Sequence, residues 1–232
     1  MTTAANNGRS RKAGLSKDAI VDCALELART EGQGALTLRR IGQEFGADAT
    51  AFYRHFRDKD ALVLACVDKM YSIAFDEFSA HSASSRLEEH DWQDDLRAVA
   101  STFWNVAQRY PGLTTLGFSR ITGGEGEQRY VEYILRTIGR LGLPPQQIVI
   151  FYRAFVDSLL ALSALRASAD NLPSPIRQRD QNRWRQIYGT LPRESFPATR
   201  AHVDELDAVR PVEVFTTVID SLLDSIARVA NT

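Results

Sequence analysis

The sequence is poor in the patterns that chemistry needs. It has two cysteines in 232 residues, Cys23 and Cys66. Each sits in an apolar helical pattern (Ile20, Cys23, Ala24, Leu27; Leu62, Cys66, Met70), which reads as a small buried hydrophobe rather than a disulfide or a reactive thiol. There is no glycine-rich phosphate loop, no nucleophile elbow and no Cys/His set at metal-ligand spacing. His81, His90 and His202 stand in polar or loop-like stretches, without ligand spacing. An enzyme is therefore not expected, nor a cofactor or a metal. No uninterrupted apolar run approaches the ~20 residues of a membrane helix. The polar N-terminus lacks the apolar stretch of a secretory signal, so a soluble, cytoplasmic protein with no membrane partner is the default expectation. Alternation of period two persists nowhere, and no internal repeat is visible. The net charge of −1 gives the molecule as a whole no nucleic-acid signature.

What is present is helical periodicity throughout, with 44% hydrophobic residues, enough to bury a core. The expected fold is all-α, with about nine or ten helices. Residues 1–14 are small, polar and basic and read as a flexible arm. Arg9, Arg11 and Lys12 suit either a minor-groove arm or a solubilising tail. Residues 1–60 carry ten Lys/Arg against eight Asp/Glu, a mild basic bias. Ser16 is a candidate cap for a first helix to Thr30, and Thr37 for a short second helix to Phe45. Asp48 can cap a third helix to Phe56, and Asp58 a fourth that runs well into the 70s. Residues 79–90 read as a loop. Further helices are expected over Trp92–Arg109, 113–121, Glu125–Leu141, Gln146 to about Ala167, and Pro211 to about Val229. The proline- and charge-rich stretch 168–210 reads as an extended loop holding at least one short helix, around Asp180 to Tyr188.

The informative segment is Thr37 to Lys59, TLRRIGQEFGADATAFYRHFRDK. Two short helices meet at Gly46-Ala47-Asp48, the arrangement of a helix-turn-helix whose second helix lies in the major groove. Gly46 supplies a permissive backbone for the sharp turn. The outer face of the third helix carries Ala49, Thr50, Tyr53 and Arg54, with His55 beside them, and His55 reads equally as a packing residue. Hydroxyls, a guanidinium and an imidazole suit base edges and phosphates, and alanine suits a thymine methyl. Arg39 and Lys59 flank the groove as phosphate neutralisers.

Thr37-Leu38-Arg39-Arg40-Ile41-Gly42, Gly46-Ala47, Phe52-Tyr53-Arg54-His55-Phe56 and Lys59-Asp60-Ala61-Leu62 together resemble the signature of TetR-type regulators. The first-helix pattern Ile20-x-x-x-Ala24-x-x-Leu27 and Gly32 fit as well, so the resemblance covers about residues 15–65. It implies a homodimer that reads a palindromic double-stranded DNA operator through residues 15–60 and binds a small-molecule ligand in residues 61–232. It also implies backbone contacts from Thr37, Tyr53 and Lys59, and a base or phosphate contact from Arg39. The expected function is transcriptional repression released by that ligand. The alternative is a ligand-binding or protein-interaction module with a vestigial helix-turn-helix. One departure is Asp48-Ala49-Thr50-Ala51, which offers few direct hydrogen bonds to bases.

For the body, candidate ligand-binding residues are the large side chains Phe103, Trp104, Phe118, Tyr133 and Phe155, with Gln108 and Asp157 as embedded polar groups that need a partner. Pairing of Asp157 with Arg153 four residues earlier is the blander account of that carboxylate. Ala154, Ser158, Ala161 and Leu165, with Ile219, Leu222, Leu223 and Ile226, form stripes on two helices. Core packing within one chain explains part of this pattern, and by the resemblance the two helices build a four-helix dimer interface.

Overall fold

The computed structural model describes residues 15–84, 91–180 and 183–231. Among these it is built from helices alone, eleven of them α-helices. The arm 1–14, with Arg9, Arg11 and Lys12, lies outside the described residues.

Helix α1, Lys17–Glu31, starts where the Ser16 hydroxyl accepts the N–H of Ala19 at 3.2 Å. It buries Ile20, Ala24 and Leu27, its i, i+4, i+7 stripe. Helix α2, Leu38–Phe45, is capped by Thr37. A 3-10 helix, Ala49–Arg54, then leads to α3, Lys59–Ser84, whose first N–H groups meet the Asp58 carboxylate (Ala61 N–H, 2.8 Å). The periodicity does not stop at residue 79. Phe78 is buried and the Ser79 hydroxyl donates back to the Phe75 carbonyl at 2.8 Å, so α3 runs through residues 79–84, where a loop is expected from the serine-rich composition.

Helices α4, Trp92–Arg109, α5, Pro111–Gly117, and α6, Glu125–Gly139, pack against α3, while α7, Pro145–Asp170, packs on α4, α5 and α6, and α11, Pro211–Ala230, packs on α7 and α4. Proline opens α5, α7 and α11, as suits a residue whose missing N–H is unpaired at a helix start anyway. The stretch between α7 and α11 is more helical than its prolines imply. It holds α8, Ser174–Asp180, α9, Pro197–Ala201, and α10, Val203–Ala208, with a single π-turn at Trp184–Tyr188.

Helix α7 is long and apolar enough by length and composition to cross a membrane, although Arg153 and Asp157 break its apolar runs, and only 17% of its most apolar stretch is buried within the chain. Phe155, Leu159, Ser163 and Ala167 face inward, while Val149, Ile150 and Leu165 are bare.

Candidate nucleic-acid interface and ligand cavity

The reading unit is fixed by local devices. The Thr37 hydroxyl accepts the Arg40 N–H at 3.1 Å and starts α2. At its far end Gly46 has φ +61°, and the N–H of Ala47 returns to the carbonyl of Gly42 at 3.0 Å, the paired closure of a left-handed helix end. A Cβ on Gly42 would stand 2.7 Å from the carbonyl oxygen of Ala47. Gly42 therefore permits the close approach, a requirement its place in the motif does not reveal.

The expected third helix 49–56 is instead a tighter six-residue turn. The Asp48 carboxylate accepts the N–H of Thr50 at 2.8 Å, and i→i+3 bonds follow, from Ala51 to Asp48 at 3.0 Å and from His55 to Phe52 at 2.9 Å. Three residues per turn still seat Phe52 in the core, edge-on to Phe45 with ring centres 6.0 Å apart. The hydrogen bonds from Thr50 hold the Asp48 carboxyl below its usual pKa.

Thr50, Tyr53 and Arg54 point to solvent, Tyr53 at 59% exposure. Large apolar rings at that exposure are informative in a small unit with its own aromatic core. Thr37, Arg39 and Lys59 are exposed on the same unit, Ala49 opens the turn, and His55 is half-buried. Arg40, the other guanidinium of α2, is occupied. It binds Glu31 (Nε–Oε2, 3.1 Å) and Glu44 (Nη1–Oε1, 2.6 Å), which raises its pKa and clamps α1 to α2. Lys17, at the start of α1, lies 5.8 Å from the Phe56 ring centre and brings a further cation to the unit.

In the body, a cavity of about 700 Å³ is walled by Tyr71 of α3, Phe103 of α4, Phe118, Tyr130 and Ile134 of α6, and Tyr152 of α7, with Arg120, Glu127, Arg153 and Asp157 among its polar groups. Burial and then the Glu127 charge raise the pKa of the Tyr71 hydroxyl, and the same two causes in the same order raise that of Tyr152. All three side chains are in the wall, where the Glu127 carboxylate also accepts the Thr122 hydroxyl at 2.9 Å and the Gly123 N–H at 2.7 Å. Of the expected ligand residues, Phe103, Phe118 and Asp157 are in the wall. The Asp157 carboxylate also takes the Arg153 guanidinium at 2.9 Å.

The other four expected ligand residues are not in the wall, because successive positions on one helix face different neighbours. Trp104 stacks on Phe215 at 4.4 Å. Tyr133 packs edge-on to Phe75 and Phe78, at 5.7 and 5.0 Å. Phe155 is fully buried in the core. The Gln108 amide is buried with neither its oxygen nor its nitrogen hydrogen-bonded. Sequence reasoning missed Tyr71, Tyr130 and Tyr152, which spacing alone cannot separate from core residues.

The interface stripes need a similar correction. Leu165 is 70% exposed, Ala161 is exposed, and Ala154, Ser158 and Leu222 are half-buried. Ile219, Leu223 and Ile226, however, are 0–2% exposed within the single chain. They belong to its own core, and the bare apolar side chains of α11 are Val212, Val214 and Val229. Cys66 is fully buried and Cys23 half-buried, and burial pushes their pKa values up to about 12 and about 11, far from thiolate chemistry.

Residues 20–66 match the family model of bacterial regulatory proteins of the tetR family. The chain is 33% identical over 96 residues to the class C tetracycline repressor protein of Escherichia coli, covering 41% of each. It is 26% identical over 141 residues to the HTH-type transcriptional repressor DrrR1 of Streptomyces coeruleorubidus, covering 61% of this chain and 50% of that one. The matches thus span half or less of these relatives' own length. Among solved structures, the transcriptional regulator SCO7222, a TetR from Streptomyces coelicolor, superposes with a TM-score of 0.71 at 25% identity, covering 91% of this chain and 97% of that one. Streptomyces coelicolor ActR in complex with actinorhodin has the same fold, with a TM-score of 0.77 at 16% identity over 95% of this chain and 100% of that one.

Proposed function

From the premise that this chain belongs to the TetR family, we propose that it is a transcriptional repressor that leaves its operator when a small molecule occupies the cavity. The observation that carries the reading is the outward Thr50, Tyr53 and Arg54 on a turn whose inward residues are locked. What the unit presents is a hydroxyl, a phenol and a guanidinium. Arg39, Lys59 and Thr37 flank that face, and with Ala49 and His55 they form the proposed DNA contact set. The division between reading unit and body falls at the first turn of α3, so one helix belongs to both.

The ligand is a flat aromatic molecule with hydrogen-bonding substituents. Phe103, Phe118, Tyr71 and Tyr152 offer ring faces, and Glu127 with the two tyrosine hydroxyls offers a polar end. Actinorhodin-bound ActR has this fold and supports the choice. The protein acts in the cytoplasm as a homodimer, in which the bare face of α7 and the exposed edge of α11 meet their copies. The two reading turns then stand roughly 34–36 Å apart, one turn of DNA, on a palindromic site.

The test is fluorescence anisotropy with DNA flanking the protein's own gene, at stated salt, with sedimentation run in parallel. Sequence-specific binding by a dimer, weakened roughly tenfold in Tyr53→Ala, supports the reading. Equal binding to all duplexes refutes operator recognition. Leu165→Asp should shift the dimer toward monomer, and a wild type that sediments as a monomer removes the palindrome.

A further inference from the structure

The segment between α5 and α6 does two things at once. It forms part of the cavity wall through Phe118, Arg120 and Gly123, and together with the first turn of α6 it is tied at two points to α3, the helix that continues from the reading turn. At the first point the Arg120 guanidinium meets both oxygens of the Asp60 carboxylate, Nη2 to Oδ2 at 2.8 Å. Asp60 is the second residue of α3, next to Lys59. At the second point, two turns further along α3, the Asp68 carboxylate accepts the N–H groups of Gly126 at 3.2 Å and Glu127 at 2.9 Å and the hydroxyl of Thr122 at 3.1 Å, so a side chain of α3 caps the start of α6. The backbones touch there, since a Cβ on Gly126 would fall 2.2 Å from the Asp68 carbonyl oxygen. The second point is therefore a fixed pivot. The first is a planar two-bond contact between side chains that are 39% and 54% exposed, which adds orientation more than stability.

We propose that Arg120 is a positioning residue for DNA binding: by gripping Asp60 it sets the first turn of α3, and the reading turn before it, against the cavity wall. This rests on the reading of residues 15–60 as the DNA-binding unit. It places a single guanidinium at both the chamber that a ligand enters and the root of the surface that meets DNA, and Asp68 serves as the hinge about which the root turns.

The test compares Arg120→Ala, Arg120→Lys and the charge swap Arg120→Asp/Asp60→Arg with wild type in two measurements. In amide hydrogen exchange over residues 47–62, which needs no DNA, Arg120→Ala should speed exchange roughly three- to tenfold, with the swap restoring wild-type protection and the melting temperature unchanged. In operator binding the same variant should change Kd by roughly three- to tenfold, again reversed by the swap. Unchanged exchange in Arg120→Ala, or a swap that fails to restore it, overturns the proposal whatever happens with DNA. If exchange responds as expected while the wild type binds no DNA specifically, the clamp stands and the functional reading falls.

Discussion

The reading unit and the body solve the same packing problem by opposite means. Around the reading turn nearly every decisive bond is short in sequence: Thr37 to Arg40, Ala47 to Gly42, Asp48 to Thr50, Asp58 to Ala61. In the body the decisive contacts are long in sequence: Asp68 with Glu127, Arg109 with Glu77, Arg97 with Asp220. The first region is assembled from caps and is full, whereas the second is assembled from packed helix faces and leaves a chamber. Rigidity lies where the proposed partner is a regular duplex, and empty volume where the proposed partner is a small molecule.

Truncating one ring in each region should separate full from hollow most clearly. Phe52 is fully buried in the reading unit and Phe103 is 2% exposed in the body, so their exposures alone predict equal losses. Replacement of a buried Phe by Ala costs about 3–5 kcal/mol. Phe52→Ala should lie at the upper end of that range. Phe103→Ala should lie at the lower end, because one face of the ring already borders the cavity and lacks packing partners to lose. Chemical denaturation of the two variants measures this. Equal losses would mean that the chamber is closed around Phe103 in solution and that the contrast between regions is overstated.

The same contrast decides how much of the molecule was legible in the sequence. Caps are local chemistry, so Ser16, Thr37, Asp48 and Asp58 could be read off directly, and the elements they start begin where expected, although the third is a 3-10 turn and the fourth runs on to Ser84. The reading face was equally legible, since Phe52 and Phe56 inward leave Tyr53 and Arg54 outward. The 3-10 geometry was not, because it depends on which N–H the Asp48 carboxylate takes. In the body, the existence of α4, α6, α7 and α11 follows from periodicity, but the orientation of each face is set by partners far away in the chain. Tyr130 and Tyr133 differ by three positions on one helix. One lines the chamber and the other packs against Phe78, and only the placement of α3 separates them. The apolar stripe Ile219, Leu223 and Ile226 is equally suited to a core or to a partner, and here it is core.

Two glycines test whether damage stays within its region. A Cβ at Gly42 meets the Ala47 oxygen at 2.7 Å, and one at Gly126 meets the Asp68 oxygen at 2.2 Å. Both are backbone atoms that cannot step aside, so each alanine costs about 1–3 kcal/mol or more. Gly42→Ala should melt the reading unit alone, abolishing DNA binding while the cavity and its near-ultraviolet aromatic signal survive. Gly126→Ala should lower the main transition, because it pries α6 from α3. A single transition lowered equally by both would show that the two regions unfold as one.

The reading face comes next in size. Arg39→Ala and Tyr53→Ala should each weaken operator binding roughly tenfold, and each phosphate contact removed should reduce the slope of log K against log salt by about 1. Arg40→Ala is the control that sharpens the comparison. Its guanidinium is spent on Glu31 and Glu44, so the variant should lower the melting temperature of the unit and leave the salt slope unchanged. An altered slope would put Arg40 on the DNA side after all.

The smallest effect is the acid response, and it also divides by region. The carboxyls of Asp48 and Asp58 are held below their usual pKa, chiefly by backbone N–H groups at the starts of the 3-10 turn and α3. The carboxyl of Glu213 at the start of α11 is lowered chiefly by the Arg210 side chain. A depressed folded-state pKa means that the contribution to stability is complete above the unfolded value, about 3.9 for Asp and 4.3 for Glu. It is lost as pH falls through the folded value. Melting curves from pH 7 to pH 3 should therefore show Asp48→Asn/Asp58→Asn less stable than wild type at neutral pH, with the gap closing below about pH 4. The Asp48 part of the loss should also be insensitive to salt, because it is carried by hydrogen bonds from Thr50, whereas Asp58 also pairs with the exposed Arg57. For Glu213→Gln the gap should close in the same window but already be narrowed at high salt, since an exposed ion pair is screened. A gap that stays constant down to pH 3 would assign the caps' contribution to shape rather than charge and erase this difference between the regions.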